Sequence, residues 1–157
     1  MTRNPDLDLT IDRVIRAPRD RVWSAWTTPK SFEQWWVPRP ALCRVARMDL
    51  KPGGAMVTRI SENGGDFAPH FDGCYLALDE GSRLVLTNSL VAGWRPAETP
   101  FITAIITLAD HPEGTAYQAY VMHKTPADRA MHEELGFYDG WGTVAGQLAE
   151  LVEREAH

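Results

Sequence analysis

The chain has 157 residues, of which 44% are hydrophobic and 24% charged, and its formal net charge is −5. This length and composition predict a single globular domain, residues 1–157, with one core. Lysine and arginine form no basic run, so we expect no binding of nucleic acid. No apolar stretch reaches the roughly 18 residues that a membrane-spanning helix needs.

The N-terminus and the cysteines indicate the compartment. The first ten residues, MTRNPDLDLT, lack the apolar core of a secretory signal. Cys43 and Cys74 belong to no CxxC motif, and a chain without an export signal keeps such thiols reduced. We therefore expect a cytoplasmic protein with two buried, unpaired cysteines.

The first 27 residues predict a strand followed by a helix. Leu7, Leu9 and Ile11 occupy alternate positions, as in a strand with one buried face. Pro18 is suited to the first position of a helix. That helix carries an apolar stripe formed by Val22, Trp23 and Trp26.

A doubled tryptophan stands in the second predicted helix. This helix begins after Thr28 as its N-cap, carries Trp35 and Trp36, and ends because Pro38 and Pro40 prevent its continuation. Adjacent side chains cannot point the same way on a helix or a strand. We expect one indole to anchor the helix to the core and the other to border a cavity; the alternative is that both only pack in the core.

The middle of the chain changes to two-residue alternation. Residues 43–123 predict about six strands in meander order, separated by turns at KPGG, ENGG, EGS and HPEG and by the longer loop AGWRPAETP. Gly73 lies inside one of these strands, where glycine often marks a bulge or bend.

The C-terminal region predicts one helix from Ala127 to Glu155, about 43 Å long at about 1.5 Å per residue. Four glycines weaken its first half: Gly136, Gly140, Gly142 and Gly146. Close approach to another backbone is the favoured explanation, and a helix loose enough to admit a ligand is the alternative.

The order of these elements predicts an α+β fold. We expect a curved antiparallel sheet of about seven strands around a long C-terminal helix, with two short helices after the first strand. One helix does not fill such a sheet, so a cavity is expected between the sheet and the helix.

Several motifs occur together in this order: APRDRVWSAWTTPKSFEQWWVP, MDLKPGG, FDGCYLALDEGSRLVLTN and GFYDGWGTVAGQLAEL. They resemble the START-like (SRPBCC) superfamily and, within it, the branch of the activator of the heat-shock-protein-90 ATPase, over about residues 7–155. The resemblance implies a helix-grip fold and, in many members, a deep apolar pocket. It implies no single activity, since such proteins include lipid and polyketide binders, cyclases and co-chaperone domains.

Ten residues are candidates to contact a ligand in the expected cavity. Most are aromatic, and Arg95 would bind a carboxylate or phosphate unless it is a solvated loop residue. The aromatic residues of the C-terminal helix would instead pack on the sheet if the cavity is filled. The candidates are Trp35, Trp36, Phe71, Tyr75, Trp94, Arg95, Tyr120, Phe137, Tyr138 and Trp141.

No catalytic or metal-binding motif is present. The sequence has no GxSxG, HExxH, P-loop or GxGxxG pattern, so we expect no metal and no cofactor. His70 and Asp72 would share a strand face and could pair for proton transfer, although a surface contact is the favoured interpretation. His123 near the end of the last strand is interpreted as structural rather than functional.

These observations favour a binding protein over an enzyme. The predicted function is binding of a hydrophobic small molecule, such as a lipid, polyketide or aromatic metabolite, in the cavity between sheet and C-terminal helix. One alternative is a co-chaperone or stress-response regulator of the heat-shock ATPase activator type, and another is a cyclase or hydrolase on a polyketide-like substrate. Exposed Trp94 or the edge of the first strand would support a homodimer.

Overall fold

The computed structural model describes residues 3–155. In chain order its elements are β1 (Asp8–Ile15), α1 (Arg19–Thr27), α2 (Pro29–Phe32), β2 (Leu42–Met48), β3 (Ala55–Ser61), β4 (Ala68–Asp79), β5 (Arg83–Thr87), β6 (Leu90–Val91), β7 (Arg95–Pro96), β8 (Ile102–His111), β9 (Gly114–His123), α3 (Pro126–Glu134) and α4 (Phe137–Glu155). Seven strands form one antiparallel sheet in the order β1-β9-β8-β5-β4-β3-β2, and β6 pairs with β7 separately. The predicted α+β helix-grip fold is confirmed.

Strand β9 shows how the sequence divides the sheet into two faces. Its residues alternate between partly exposed and buried over the whole strand, because successive side chains of a strand point to opposite faces. Tyr117, Ala119 and Val121 are buried on the inner face, and Tyr120 lies on the outer face. The inner face therefore forms the floor of the core.

The sheet curves over α4. Its strand pairs carry register shifts near Val45, Thr58 and Tyr75, and such irregularities bend a strand and increase its twist. Helix α4 contacts β1 and α1. Its buried side chains are Phe137, Val144, Ala145, Gln147, Leu148, Ala149, Leu151 and Val152.

The doubled tryptophan follows α2 rather than lying within it. Helix α2 ends at Phe32, and the chain continues in turns in which the Trp36 amide donates to the Phe32 carbonyl at 3.1 Å. The Trp35 ring is fully buried, and its Nε1 donates to the Ala25 carbonyl at 3.0 Å. Trp35 thus anchors the segment to α1, and the two indole planes lie 88° apart.

The predicted single helix over 127–155 is two helices. Helix α3 begins after Thr125, whose side-chain oxygen accepts from the Asp128 amide at 3.1 Å. The chain turns at Gly136, which has φ +94°, a conformation that is strained for other residues. The expected 43 Å rod was wrong for this reason, since the break at Gly136 lets α3 leave the direction of α4.

None of the helices within residues 3–155 combines the length and the apolar character needed to span a bilayer. Cys43 and Cys74 are both buried and unpaired, as expected. Burial, and to a smaller extent the charge of Glu33, raises the pKa of the Cys43 thiol to about 12. This thiol therefore stays protonated and unreactive at neutral pH.

Candidate functional site

A cavity of about 360 Å³ lies at the first half of α4, and we call it the α4 cavity. The sheet side is supplied by β4 and by the neighbouring ends of β5 and β8. Its other walls come from the loop after α2, from α3, and from the turn between α3 and α4. The lining residues are Trp36, Pro38, His70, Phe71, Asn88, Phe101, Ile102, His132, Leu135, Gly136, Phe137, Gly140, Trp141 and Val144.

Aromatic rings from three parts of the chain form one wall of the α4 cavity. The Trp36 ring centroid lies 6.0 Å from that of Trp141 and 6.3 Å from that of Phe71, in both cases edge to face. Phe137 stacks on Trp141 at 5.7 Å. Edge-to-face and offset contacts at these distances are the arrangements that aromatic quadrupoles prefer, so the wall is held in place by its own packing.

Gly140 leaves space beside this wall. A Cβ atom added at Gly140 would meet no atom within 4 Å, and the same holds for Gly142. A Cβ at Gly146 would meet only the Arg13 guanidinium, at 3.7 Å, which is an ordinary contact. The expected close approach of another backbone is therefore wrong for these three glycines, and Gly140 contributes open volume to the α4 cavity.

One of the lining residues, His132, is paired with a second histidine, His123. His132 of α3 and His123 at the end of β9 are joined by a hydrogen bond of 2.8 Å between His132 Nδ1 and His123 Nε2. Arg129, one turn earlier in α3, donates from Nε to the Asp8 carbonyl at 3.1 Å. This bond ties α3 to β1 and so holds His132 over the end of β9.

The partners of the histidine pair determine its protons. His123 Nδ1 lies 2.8 Å from the Leu7 carbonyl, which only accepts, so Nδ1 carries a proton. When both rings are neutral, His123 Nε2 is then an acceptor, and His132 Nδ1 is the donor to it. His132 Nε2 is left with a lone pair, and within residues 3–155 it has no hydrogen-bond donor.

The surroundings of His132 keep its ring neutral. The ring packs between Phe101 and Phe137, with centroid distances of 5.0 and 5.1 Å. Burial, and then the neighbouring His123, lowers the pKa of His132 to about 4. At neutral pH the group therefore offers a hydrogen-bond acceptor and no charge.

Asn88 provides a second polar group. Its Oδ1 accepts from the amides of Phe101 at 3.1 Å and Ile102 at 2.9 Å. Both donors are backbone N–H groups, so this position must be the oxygen and the amide nitrogen lies on the other side. Asn88 thus fixes the start of β8, and its amide nitrogen has no hydrogen-bond acceptor within residues 3–155.

His70, which was considered for a proton-transfer pair with Asp72, contacts Thr58. His70 Nδ1 lies 3.0 Å from the buried Thr58 hydroxyl, next to the register shift in the pairing of β3 with β4. Loss of solvation lowers the pKa of His70, and the charge of Glu62 opposes this shift. His70 therefore lies at the cavity as a second uncharged imidazole.

Four of the ten candidate residues line the α4 cavity: Trp36, Phe71, Phe137 and Trp141. Two others are core residues. Trp35 is hydrogen-bonded to α1 as described, and Tyr75 is buried at 1% exposure. Tyr75 faces the turn at Gly54, whose carbonyl accepts from its amide at 3.0 Å. Neither residue is in the cavity lining, and Trp35 takes the core position that was expected for one of the two adjacent indoles.

The remaining four candidates lie at the surface. Trp94 is 50% exposed and its indole covers Gly53, where an added Cβ would lie 2.6 Å from the ring. Arg95 is exposed in β7. Tyr120 points to the outer face of the sheet and donates to the Asp8 carboxylate. Tyr138 is 49% exposed, because its place directly after Phe137 turns it about 100° away on α4.

Sequence reasoning did not select Phe101 or His132 as site residues, although both line the cavity. Phe101 had a usable signal, since it follows Pro100 directly before an alternating strand. His132 had none, because its contact with His123 depends on the turn between β9 and α3. Within residues 3–155, no group of three or more His, Cys, Asp or Glu side chains could hold a metal ion.

Comparison with known protein families identifies the family of the chain. Residues 16–153 match the family described as activator of Hsp90 ATPase homolog 1-like protein. The chain belongs to this family. AHSA1-like proteins are members of the START-like superfamily, in agreement with the motifs of the sequence. The comparison with curated proteins found no match.

Solved structures share the fold of this chain. A crystal structure of a Nitrosomonas europaea protein is 40% identical, covers 97% of each chain and has a TM-score of 0.89. A Chromobacterium violaceum protein is 26% identical, with 93% of this chain and 97% of that chain covered and a TM-score of 0.72. An AHSA1-like protein from Aeromonas hydrophila, 18% identical with 94% and 93% coverage and a TM-score of 0.66, shares the fold.

Proposed function

We propose that this AHSA1-like chain binds a compact hydrophobic small molecule in the α4 cavity. The observation that supports the proposal most directly is the lining. Its side chains are predominantly aromatic or aliphatic, and its polar ones are His70, Asn88 and His132. An apolar hollow with a few polar groups is the usual form of a small-molecule site.

The volume restricts the ligand. About 360 Å³ is near the lower end of the range of roughly 300–1,000 Å³ that ligand pockets span. The aromatic wall of Trp36, Phe137 and Trp141 suits a flat ring system. Of the lipid, polyketide and aromatic metabolites expected from the sequence, a one- or two-ring aromatic compound therefore fits best.

A pair of matched substitutions tests the proposed function. Gly140→Leu would place a side chain in the open volume of the cavity, whereas Gly142→Leu places the same side chain about 200° around α4. Both variants are titrated with a panel of aromatic compounds, and tryptophan fluorescence and thermal shift are recorded. We expect Gly140→Leu to abolish binding and Gly142→Leu to retain it. Binding that survives in both variants, or that is absent from the wild-type protein for every compound, would refute the proposal.

The family description favours a second candidate function, regulation of an Hsp90-type ATPase. This role requires contact between the chain and the chaperone. The measurement is the steady-state ATPase rate of a bacterial Hsp90-type chaperone with increasing amounts of this chain. A saturable increase supports the second function, and an unchanged rate together with no capture in a pulldown removes it.

Two other predictions stay open. A homodimer would use Trp94, which is 50% exposed, or β1, which is an edge strand of the sheet. A cyclase or hydrolase would need an acid–base pair at the cavity. His70, which with Asp72 was considered for such a pair, contacts Thr58.

A further inference from the structure

The polar groups of the α4 cavity restrict the chemistry of its ligand beyond being hydrophobic. Among residues 3–155, no lysine, arginine, aspartate or glutamate belongs to its lining. The two lining histidines are neutral at neutral pH, because the pKa of each is lowered. A carboxylate or phosphate ligand would lose its hydration without gaining a cation, which is costly in an apolar site.

His132 supplies a hydrogen-bond acceptor with a fixed direction. Its Nδ1 is held by His123 at 2.8 Å, and His123 is held in turn by the Leu7 carbonyl at 2.8 Å. This chain of bonds leaves the lone pair on His132 Nε2. The rings of Phe101 and Phe137 fix the imidazole from the sides. An acceptor held in this way selects ligands that carry a donor, since an unpaired polar group at a desolvated site is penalised.

Asn88 supplies the complementary donor. The Phe101 and Ile102 amides fix its oxygen, so its amide nitrogen can only donate. Phe101 adjoins both groups, because its amide bonds Asn88 and its ring packs on His132 at 5.0 Å between centroids. A hydroxyl group both donates and accepts, and it is the smallest group that satisfies both partners.

We propose that the ligand is an uncharged hydroxyaromatic compound whose hydroxyl group donates to His132 Nε2 and accepts from the Asn88 amide. The aromatic rings of Trp36, Phe137 and Trp141 hold the ring system of the ligand. His132 and Asn88 act here as binding residues, and His123 positions His132. This inference rests on the proposed function, because it names the class of ligand for the same cavity.

Three probes that share one ring system test this inference: 2-naphthol, 2-methoxynaphthalene and 2-naphthoate. Their dissociation constants are measured at neutral pH, where the naphthol is uncharged. We expect 2-naphthol to bind about five- to tenfold more tightly than the methyl ether, the factor that one hydrogen bond typically provides. We expect 2-naphthoate to bind most weakly.

A variant assigns this preference to His132. His132→Phe keeps an aromatic ring between Phe101 and Phe137 and removes the acceptor, so the ratio of the naphthol and ether affinities should fall to about one. His111→Phe, at the turn between β8 and β9, is the control and should keep the wild-type ratio. A ratio that persists in His132→Phe, or that is lost in His70→Phe instead, overturns the assignment.

If His132→Phe does not fold, nitrogen-15 NMR of the wild-type protein tests whether the ligand binds His132 Nε2. Addition of 2-naphthol should shift the resonance of the unprotonated His132 Nε2, and 2-methoxynaphthalene should not. A resonance that both probes leave unchanged contradicts the inference. The two proposals fail in different ways: no binding of any probe removes the proposed function, whereas equal binding of all three leaves that function in place and removes the hydroxyl preference.

Discussion

The two halves of α4 face the same sheet and have opposite roles. The second half carries Leu148, Ala149 and Val152, which are almost completely buried, and it fills the space over β1. The first half carries Gly140 and Trp141 and borders a cavity of about 360 Å³. Both halves are apolar, so what separates a filled core from a cavity here is the shape of the side chains.

The hydrogen bonds of polar side chains also differ between the two halves of α4. In the second half, Gln147 is buried and all its hydrogen bonds are internal: Nε2 donates to the carbonyls of Trp35 and Val37, and Oε1 accepts from the Arg39 amide. Beside the first half, His132 Nε2 keeps an unused lone pair. Gln147 is therefore satisfied within the protein, as most buried polar groups are, whereas His132 at the cavity retains a free acceptor.

Leu148→Ala should cause the largest effect. The Leu148 side chain is fully buried, and a leucine-to-alanine change in a close-packed core costs about 2–5 kcal/mol. We expect a loss in this range in the free energy of unfolding, measured by urea denaturation. Leu135→Ala is the control, because Leu135 at the cavity mouth is 75% exposed, and it should change the value by less than about 0.5 kcal/mol. Similar losses for both variants would contradict the contrast between the two regions.

A smaller effect is expected from acid. The pKa of His132 is 6.5 in its ordinary state and about 4 in the folded chain. Between these values the unfolded chain takes up a proton that the folded chain does not, so the free energy of unfolding falls as pH decreases from about 6.5 towards 4. One such proton contributes at most about 1.4 kcal/mol per pH unit.

The measurement is urea denaturation at a series of pH values between 5 and 7. His70, whose pKa is also lowered, adds to the slope in the same direction. His132→Phe should reduce the slope relative to that of the wild-type protein. An equal slope in His132→Phe would mean that the histidine pair is exposed to solvent rather than packed against the cavity.

The repeating patterns of the sequence were enough to predict the sheet. The burial of β9 follows the two-residue alternation residue by residue, because the pattern and the structure have the same period. The same alternation could have placed Tyr120 on the outer face once Tyr117 was assigned to the core. The sequence alone did not show which of the two faces of β9 points inward, because the face that carries Gln118 and Tyr120 is a mixture of polar and aromatic residues.

The candidate site was predictable only in part. Trp36 was selected because adjacent tryptophans cannot point the same way, and Phe137 and Trp141 because the first half of the C-terminal helix faces the cavity in the helix-grip fold that the motifs resemble. The break at Gly136 was not foreseen, since a glycine inside a helical pattern does not reveal the sign of its φ. Without that break, α3 could not be placed, and the contact of His132 with His123 stayed hidden.

The smallest expected effect is a gain in stability from alanine at two glycines in the first half of α4. A Cβ at Gly140 or at Gly142 would meet no atom within 4 Å, and the backbone of both is helical. Replacement of a helical glycine by alanine should therefore raise the free energy of unfolding by about 0.5–1 kcal/mol at each position. Denaturation of Gly140→Ala and Gly142→Ala measures these increments.

The two alanine variants should then differ in binding. The methyl group of Gly140→Ala occupies part of the α4 cavity and should weaken an aromatic probe severalfold, whereas Gly142→Ala should bind it with wild-type affinity. A destabilised Gly140→Ala would show that the space beside Gly140 is closed in solution, and the first half of α4 would then be packed like the second. Equal stabilisation with unequal binding would establish that glycine is present at position 140 for volume, at a cost in helix stability.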